Sequence, residues 1–360
     1  ACVTRRTRGS SDHSMQSAPC PTPCQPSTLC RAAVLDWSVH HGGGFIARSL
    51  GLKRLTVQLH RLLRCFEDNL DGGPALIIDV GAGIHGLSRE WVFRVKNLHD
   101  DDSDSLWLLG SFGSRASVHA FEANAAKAAE LRAAAAARPL TSKFTDRFTV
   151  HNVGVGAASG TSSVARCGGA NTWSVHGNAG VASFMKCGRG DEVNTTSLDD
   201  FAAGEAPLYV KVDVEGGEWD VLRGMHHLLR ERRVAVASFE YAVNWHAAFH
   251  RPSRHALTEE ERASAKDVSL HAFQSRLGAY GYDTYLVNAG DADSGVVLVP
   301  VHGEFWQDEL EICYNRSRFY DNTHCWNDLL AVRRCDACTR DTLFGEVLRG
   351  TWEQQRWKGT

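Results

Sequence analysis

No run of residues in this 360-residue chain approaches the roughly 20 consecutive apolar positions that a membrane-spanning helix needs, which argues against a membrane span. Positive charge is not in excess either. Thirty-nine Lys and Arg stand against 42 Asp and Glu, a net charge of −3, so there is no broad basic footprint and nucleic acid is not the expected main partner. The first 30 or so residues lack both helical and alternating periodicity. They carry Arg5, Arg6, Arg8, several serines, four prolines and Cys2, Cys20, Cys24 and Cys30, so residues 1–35 are expected to form a tail or stalk. Ala1 rather than methionine opens the chain, which leaves room for a preceding signal or anchor. What the chain does have is 43% hydrophobic residues, enough to bury a sizeable core in one large domain with extensions or in two small ones.

The most informative stretch is Ala75-Leu76-Ile77-Ile78-Asp79-Val80-Gly81-Ala82-Gly83-Ile84-His85-Gly86. An apolar run ended by glycines reads as a buried strand entering a tight turn. Leu87, Trp91, Val95 and Leu98 then recur at helical spacing. Such a strand, glycine turn and helix bring backbone N–H groups close to a nucleotide-type ligand. Gly81-x-Gly83-x-x-Gly86 also satisfies the dinucleotide fingerprint, a weak signal by itself. Asp79 tilts the choice, because a carboxylate there suits a cationic amino-acid moiety and would repel a pyrophosphate. The next candidate ribose acid, Glu122, lies further on than the roughly 20 residues a nicotinamide site expects. S-adenosylmethionine is therefore the favoured cofactor, with Asp79, Gly81, Ala82, Gly83, Gly86 and Glu122 as the residues expected to bind it.

Upstream, Leu52, Leu55, Leu59, Leu62, Leu63 and Phe66 predict an amphipathic helix, so residues 36–72 read as a helical lead-in covering one end of the sheet. Downstream, His99 to Ser105 is an acidic surface loop. Ser117 to Glu122 predicts a second strand ending in an acid, Ala125 to Ala137 a helix, and Phe148 to Val155 a third strand. Cys167 to Gly190 is rich in glycine and small residues without a period, and is expected to be a substrate loop or lid. This alternation of strands and helices indicates a parallel α/β sheet.

A second stretch, Pro207 to Gly224, alternates into Lys211, Asp213 and Glu215 before two glycines hand over to a helix with Val221, Leu222, Met225, Leu228 and Leu229 on one face. Alternation puts Lys211, Asp213 and Glu215 on the same side of the strand. Buried charge is costly unless paired, so a site at the strand's carboxyl end explains these residues better than packing does, although a structural Lys–Asp pair stays open. Arg233 to Glu240 predicts a fifth strand, followed by Tyr241, Asn244, Trp245 and His246. Thr258 and Glu261 have capping-box spacing for a helix toward Leu277. Tyr282 to Asn288 and Gly295 to Val301 predict a closing hairpin.

Four segments fall in the order of a known family: Asp79-Val80-Gly81-Ala82-Gly83, Ala120-Phe121-Glu122-Ala123-Asn124, Thr196-Ser197-Leu198-Asp199-Asp200-Phe201, and Lys211-Val212-Asp213-Val214-Glu215-Gly216-Gly217-Glu218. With Val221-Leu222-Arg223-Gly224 behind the last of them, residues 73–301 resemble the FkbM-type methyltransferases. The resemblance implies a Rossmann-like class I methyltransferase fold, a seven-stranded mostly parallel sheet with a C-terminal antiparallel hairpin. It also implies S-adenosylmethionine as cofactor and, most often, O-methylation. By position, Asp79, Gly81 and Gly83 would line the cofactor and Glu122 would hold its ribose, while Asp213 and Glu215 would sit where cofactor and acceptor meet. The family commonly has asparagine at position 83 and glycine at 85, where this chain has Gly83 and His85.

Residues 302–360 form an extension with Trp306, Trp326, Trp352 and Trp357, and with Cys313, Cys325, Cys335 and Cys338. Only Cys335-x-x-Cys338 has zinc-like spacing, and eleven cysteines in the chain favour disulfides and a weak lean toward the secretory lumen or cell exterior, with the cytosol still open. Asn194-Thr195-Thr196 and Asn315-Arg316-Ser317 have the form of glycosylation acceptors.

The expected acceptor is a hydroxyl of a small molecule or glycan, such as a sugar or related metabolite. A weakly nucleophilic hydroxyl needs a base or a metal, and the catalytic candidates are Asp213, Glu215, Glu240 and His246. Three of these are carboxylates and could equally hold a divalent ion. Two other functions stay open, an NAD(P)-dependent oxidoreductase using the same glycine turn and a binding module without catalysis. The absence of a Tyr-x-x-x-Lys pair and the closing hairpin both count against the oxidoreductase.

Overall fold

A computed structural model describes residues 74–82, 115–137, 146–167, 172–176, 188–214, 217–241, 269–289, 296–306, 308–311 and 327–334. Several expectations lie outside these residues: the tail, the lead-in helix, Gly83 to Gly86 and the helix after them, the acidic loop, Glu215, His246, the Thr258 capping box, and every cysteine of the tail and of the extension.

Strand β1 (Ala75–Val80) is buried on both faces, with Ala75, Ile77, Ile78 and Val80 all buried. That double burial is what a central parallel strand requires. On one side it pairs in parallel with β2 (Ala116–Phe121), which pairs with β3 (Phe148–His151). Helix α1 (Ala125–Ala137) connects these two strands, and the Asn124 carboxamide oxygen caps it by accepting from the N–H groups of Ala126 and Lys127 at 2.9 and 3.2 Å.

The chain then forms a second sheet from β4 (Gly154–Val155), β5 (Gly160–Cys167), β6 (Thr172–His176) and β7 (Gly188–Thr196), in the order β4-β7-β5-β6. The expected irregular loop from Cys167 onward is thus corrected over residues 172–176 and 188–190. Cys167 pairs with Thr172, and β5 and β6 run antiparallel. Small residues and glycine mask the alternation that marks such strands, and β5 has a register shift between Val164 and Arg166 where it meets β7.

After α2 (Leu198–Phe201) the chain returns to the other side of β1 as β8 (Tyr209–Val212). Helices α3 (Glu218–Arg223) and α4 (His226–Arg230) lead to β9 (Val236–Tyr241), parallel to β8. Helix α5 (Leu270–Ala279), capped by Ser269, precedes β10 (Tyr282–Ala289), and β11 (Val296–Pro300) pairs with β10 as the expected antiparallel hairpin. Residues from the extension join the same sheet. Strand β12 (Asn327–Arg333) lies between β9 and β10, antiparallel to both. The sheet order is β11-β10-β12-β9-β8-β1-β2-β3, so it has eight strands: the expected seven, with β10 and β11 as the hairpin, and β12 in addition.

One face of the sheet, including Ile78, Val80, Val210, Val212 and Phe239, packs on Leu222 of α3, Leu229 of α4 and Phe273 of α5. The opposite face is apolar where Ala120 meets Leu131 and Ala135 of α1. Toward β8, β9 and β12 it becomes polar.

Candidate functional site

Strand order reverses between β1 and β8, because the chain leaves β1 toward β2 and β3 and comes back on the other side. A ligand crevice in an open α/β sheet forms at such a switch point, beyond the carboxyl ends of the strands. The end of β1 is built tightly there. Gly81 and Ala82 both donate to the Phe121 carbonyl, at 2.9 and 3.0 Å, and the Asp213 N–H donates to the Val80 carbonyl at 2.9 Å. Gly81 adopts φ +81°, and a Cβ on it would lie 1.8 Å from the Asp213 carbonyl oxygen, so only glycine fits between the two strand ends.

Three ionisable side chains meet at this point. Asp79 and Lys211 are in register on β1 and β8, and alternation turns both away from the apolar face. The Lys211 Nζ lies 3.6 Å from Asp79 Oδ1 and 3.4 Å from Asp213 Oδ2, and all three residues are buried. Lys211 therefore bridges the acid at the end of β1 and the acid just past β8. Next to it on β9 is Ser238, whose hydroxyl is 2.6 Å from that of Tyr209. Glu240 lies further along β9 and is directly opposite Asp328 of β12, with both residues buried.

Glu122 follows β2. Its Oε1 accepts the Asn124 N–H at 2.7 Å, its own N–H donates to the His151 carbonyl, and Asn152 Nδ2 holds the Glu122 and Ala123 carbonyls, each at 3.0 Å. Burial pushes the Glu122 carboxyl above its ordinary value and the nearby Asp79 adds to this, whereas the Asn124 N–H and Lys127 oppose it. Beneath this loop, on the apolar face, His119 and His151 are stacked and joined at 3.0 Å, with Phe201 edge-on to His151.

The structure thus brings Asp79, Gly81, Ala82, Glu122 and Asp213 to the ends of three neighbouring strands, with Glu240 on the next strand beyond Asp213. The Thr196-to-Phe201 segment has a structural role. Ser197 Oγ caps α2, and the Asp199 carboxylate accepts the His227 and Leu228 N–H groups at 2.9 and 2.8 Å, fixing the start of α4. Sequence reasoning set Lys211 on the site's side of its strand and left a Lys–Asp pair open without naming Asp79 as a partner, and it overlooked Asp328. The apolar run Leu329-Leu330-Ala331-Val332 after it was the available signal of a buried strand. Among the described residues no group of three His, Cys, Asp or Glu is placed to hold a metal ion, and no helix is long and apolar enough to cross a membrane.

Compared with known families, the sequence matches the methyltransferase FkbM domain over residues 79–263, just over half of the chain. The chain belongs to the FkbM methyltransferase family. The match runs from the end of β1 through β9 and includes Asp79, Gly81, Ala82, Glu122, Lys211, Asp213 and Glu240, while Asp328 lies beyond it. Among solved structures, the FkbM methyltransferase from Methylobacillus flagellatus KT is similar at 15% identity and a TM-score of 0.36. The alignment covers 72% of this chain and 43% of that protein, so the chain spans less than half of its length. Cofactor-bound Rv0187 from MTB aligns at 12% identity and a TM-score of 0.35, over 86% of this chain and 92% of that one. Magnesium protoporphyrin IX methyltransferase from Synechocystis PCC 6803, solved with bound SAM, aligns at 12% identity and a TM-score of 0.29, over 86% and 100%. No curated protein matches the sequence significantly.

Proposed function

We propose that this FkbM-family chain is an S-adenosylmethionine-dependent O-methyltransferase acting on a hydroxyl of a sugar, glycan or related metabolite. The observation that carries the reading is the convergence of Asp79, Glu122 and Asp213 at the ends of β1, β2 and β8, on both sides of the switch point. The donor set suits the cofactor. Asp79 offers a buried carboxylate to a cationic amino-acid end, and Glu122, tethered by Asn124, offers one to a pair of ribose hydroxyls. When bound, the cofactor supplies a methyl group on a sulfonium.

The chain's own residues then have to orient the acceptor and take its proton. Asp213 is the preferred base. It is buried, its carboxylate is held 3.4 Å from the Lys211 ammonium, and it lies beside the expected cofactor position. Glu240 reaches the same end of the sheet from the next strand, and Glu215 and His246 are the remaining candidates by sequence position. Burial at the strand ends keeps water from competing for the proton and for the methyl group.

Calorimetry with S-adenosylhomocysteine against NAD tests the cofactor assignment, with binding of the former alone expected. Asp79→Ala and Glu122→Ala should each weaken that binding by about 1.5–3 kcal/mol, the worth of a hydrogen bond to a charged group. Unchanged affinity in both variants would sink the pocket assignment. Labelled S-adenosylmethionine incubated with a mixed carbohydrate extract should then identify the acceptor. On that acceptor Asp213→Asn should cost about 10²–10⁴ in rate while cofactor affinity stays within a few-fold. Loss of wild-type activity in EDTA would instead assign the acids to a divalent ion.

A further inference from the structure

Lys211 is the buried residue of this site for which general acid–base chemistry and cofactor recognition leave no obvious task. Its ammonium stands between two carboxylates on different strands, 3.6 Å from Asp79 and 3.4 Å from Asp213. Two carboxylates facing one another in a dry cleft do not both stay ionised. One takes up a proton or turns toward solvent, and its direction is lost. A cation between them removes that conflict.

Resting on the methyl-transfer reading, we infer that Lys211 is a positioning residue: its ammonium ties Asp79 to Asp213 across the switch point, holding both carboxylates charged and aimed in the absence of ligand. The placement suits the task. Lys211 is the register partner of Asp79 and lies two residues before Asp213, so one side chain reaches both acids while its stem stays on β8. The remainder of the sheet braces it, with Ser238 in register on β9 and tied to Tyr209. Two carboxylates and one ammonium leave a single net negative charge, which suits the ammonium group of the ligand's amino-acid end. Were the lysine only a filler of space, an unbranched apolar chain of similar length would serve.

The test is calorimetric titration of S-adenosylhomocysteine into the full chain and its Lys211→Met, Lys211→Arg, Asp79→Asn and Lys211→Met/Asp79→Asn variants, with melting temperatures recorded alongside. Lys211→Met should bind at least tenfold more weakly, and Lys211→Arg should recover a substantial part of the loss. The double variant should bind no more weakly than Lys211→Met, because an Asp79 that has lost its direction has nothing further to lose. Wild-type affinity in Lys211→Met overturns the inference. So does a Lys211→Arg no better than Lys211→Met, or a double variant whose loss is the product of the two single losses. Should Lys211→Met fail to fold, the double variant, in which one carboxylate leaves with the cation, is compared with Asp79→Asn. Equal affinity of those two is then expected, and a further tenfold loss overturns the inference. A wild-type chain that does not bind S-adenosylhomocysteine defeats the methyl-transfer reading itself, an outcome separate from all of these.

Discussion

Replacing Gly81 with alanine imposes two penalties that the structure allows to be separated. The first is conformational. At φ +81° an L side chain sits in the left-handed region, which costs about 1–2 kcal/mol. The second is steric. The new Cβ would stand 1.8 Å from the Asp213 carbonyl oxygen, so one strand end must move by more than an ångström. Overpacking of this kind typically costs about 1–3 kcal/mol, which brings the expected destabilisation to about 2–5 kcal/mol. Gly204 provides the internal control. Its φ is +84°, yet a Cβ there meets nothing within 4 Å, so Gly204→Ala should show the conformational penalty alone. Urea denaturation of both variants, compared at unchanged m-value, gives the difference directly. Gly81→Ala should also lose affinity for S-adenosylhomocysteine, because the displaced atoms belong to Asp213 and to the turn after Asp79. Equal destabilisation of the two variants would refute the close approach of β1 to β8, and with it the geometry of the cleft.

Three further outcomes are expected. Burial raises the Glu122 carboxyl, so S-adenosylhomocysteine affinity should fall at a higher pH on acidification than an ordinary carboxylate would give, and Glu122→Gln should remove that component of the pH profile. Burial lowers both His119 and His151, so below about pH 6.5 the unfolded chain takes up more protons than the folded one. Stability should therefore be fully present above that pH and fall as the pH drops, and His119→Gln/His151→Gln should flatten the decline seen in chemical denaturation. Glu311 accepts the Leu270 and His271 N–H groups, at 2.7 and 2.9 Å, and the Tyr241 hydroxyl, so Glu311→Ala should cost about 1.5–3 kcal/mol and Glu311→Gln less, read from denaturation midpoints.

What the sequence made legible was local. The run into Asp79 and Gly81, the alternation into Lys211 and Asp213, and the alanine-rich α1 each bear their structure within a dozen residues, and the strands carrying most of the site follow from them. The partnership of Lys211 with Asp79 was not legible, because it depends on which strand becomes the neighbour of which, a consequence of the crossover after β3. The second sheet was missed because glycine and small polar residues give no contrast between the two sides of a strand. The Thr196-to-Phe201 segment stood out only as part of the family resemblance, and the contacts of Asp199 with the His227 and Leu228 N–H groups reveal its capping role. The hairpin after α5 forms the edge of the sheet as expected, but β12, which joins it to β9, was not anticipated.

The insertion of β12 between β9 and β10 sets a schedule for synthesis. About 85 residues separate the end of β9 from the start of β12, a delay of roughly 4–17 s at ordinary translation rates of about 5–20 residues per second. During that interval β9 is an unfinished edge, with a row of backbone donors and acceptors open to other chains. β10 and β11 emerge earlier and can pair with one another, but β10 cannot reach its final place until β12 arrives between it and β9. A nascent chain stalled between Tyr241 and Asn327 would therefore present the β9 edge to its neighbours, and chaperone demand should be highest over that interval.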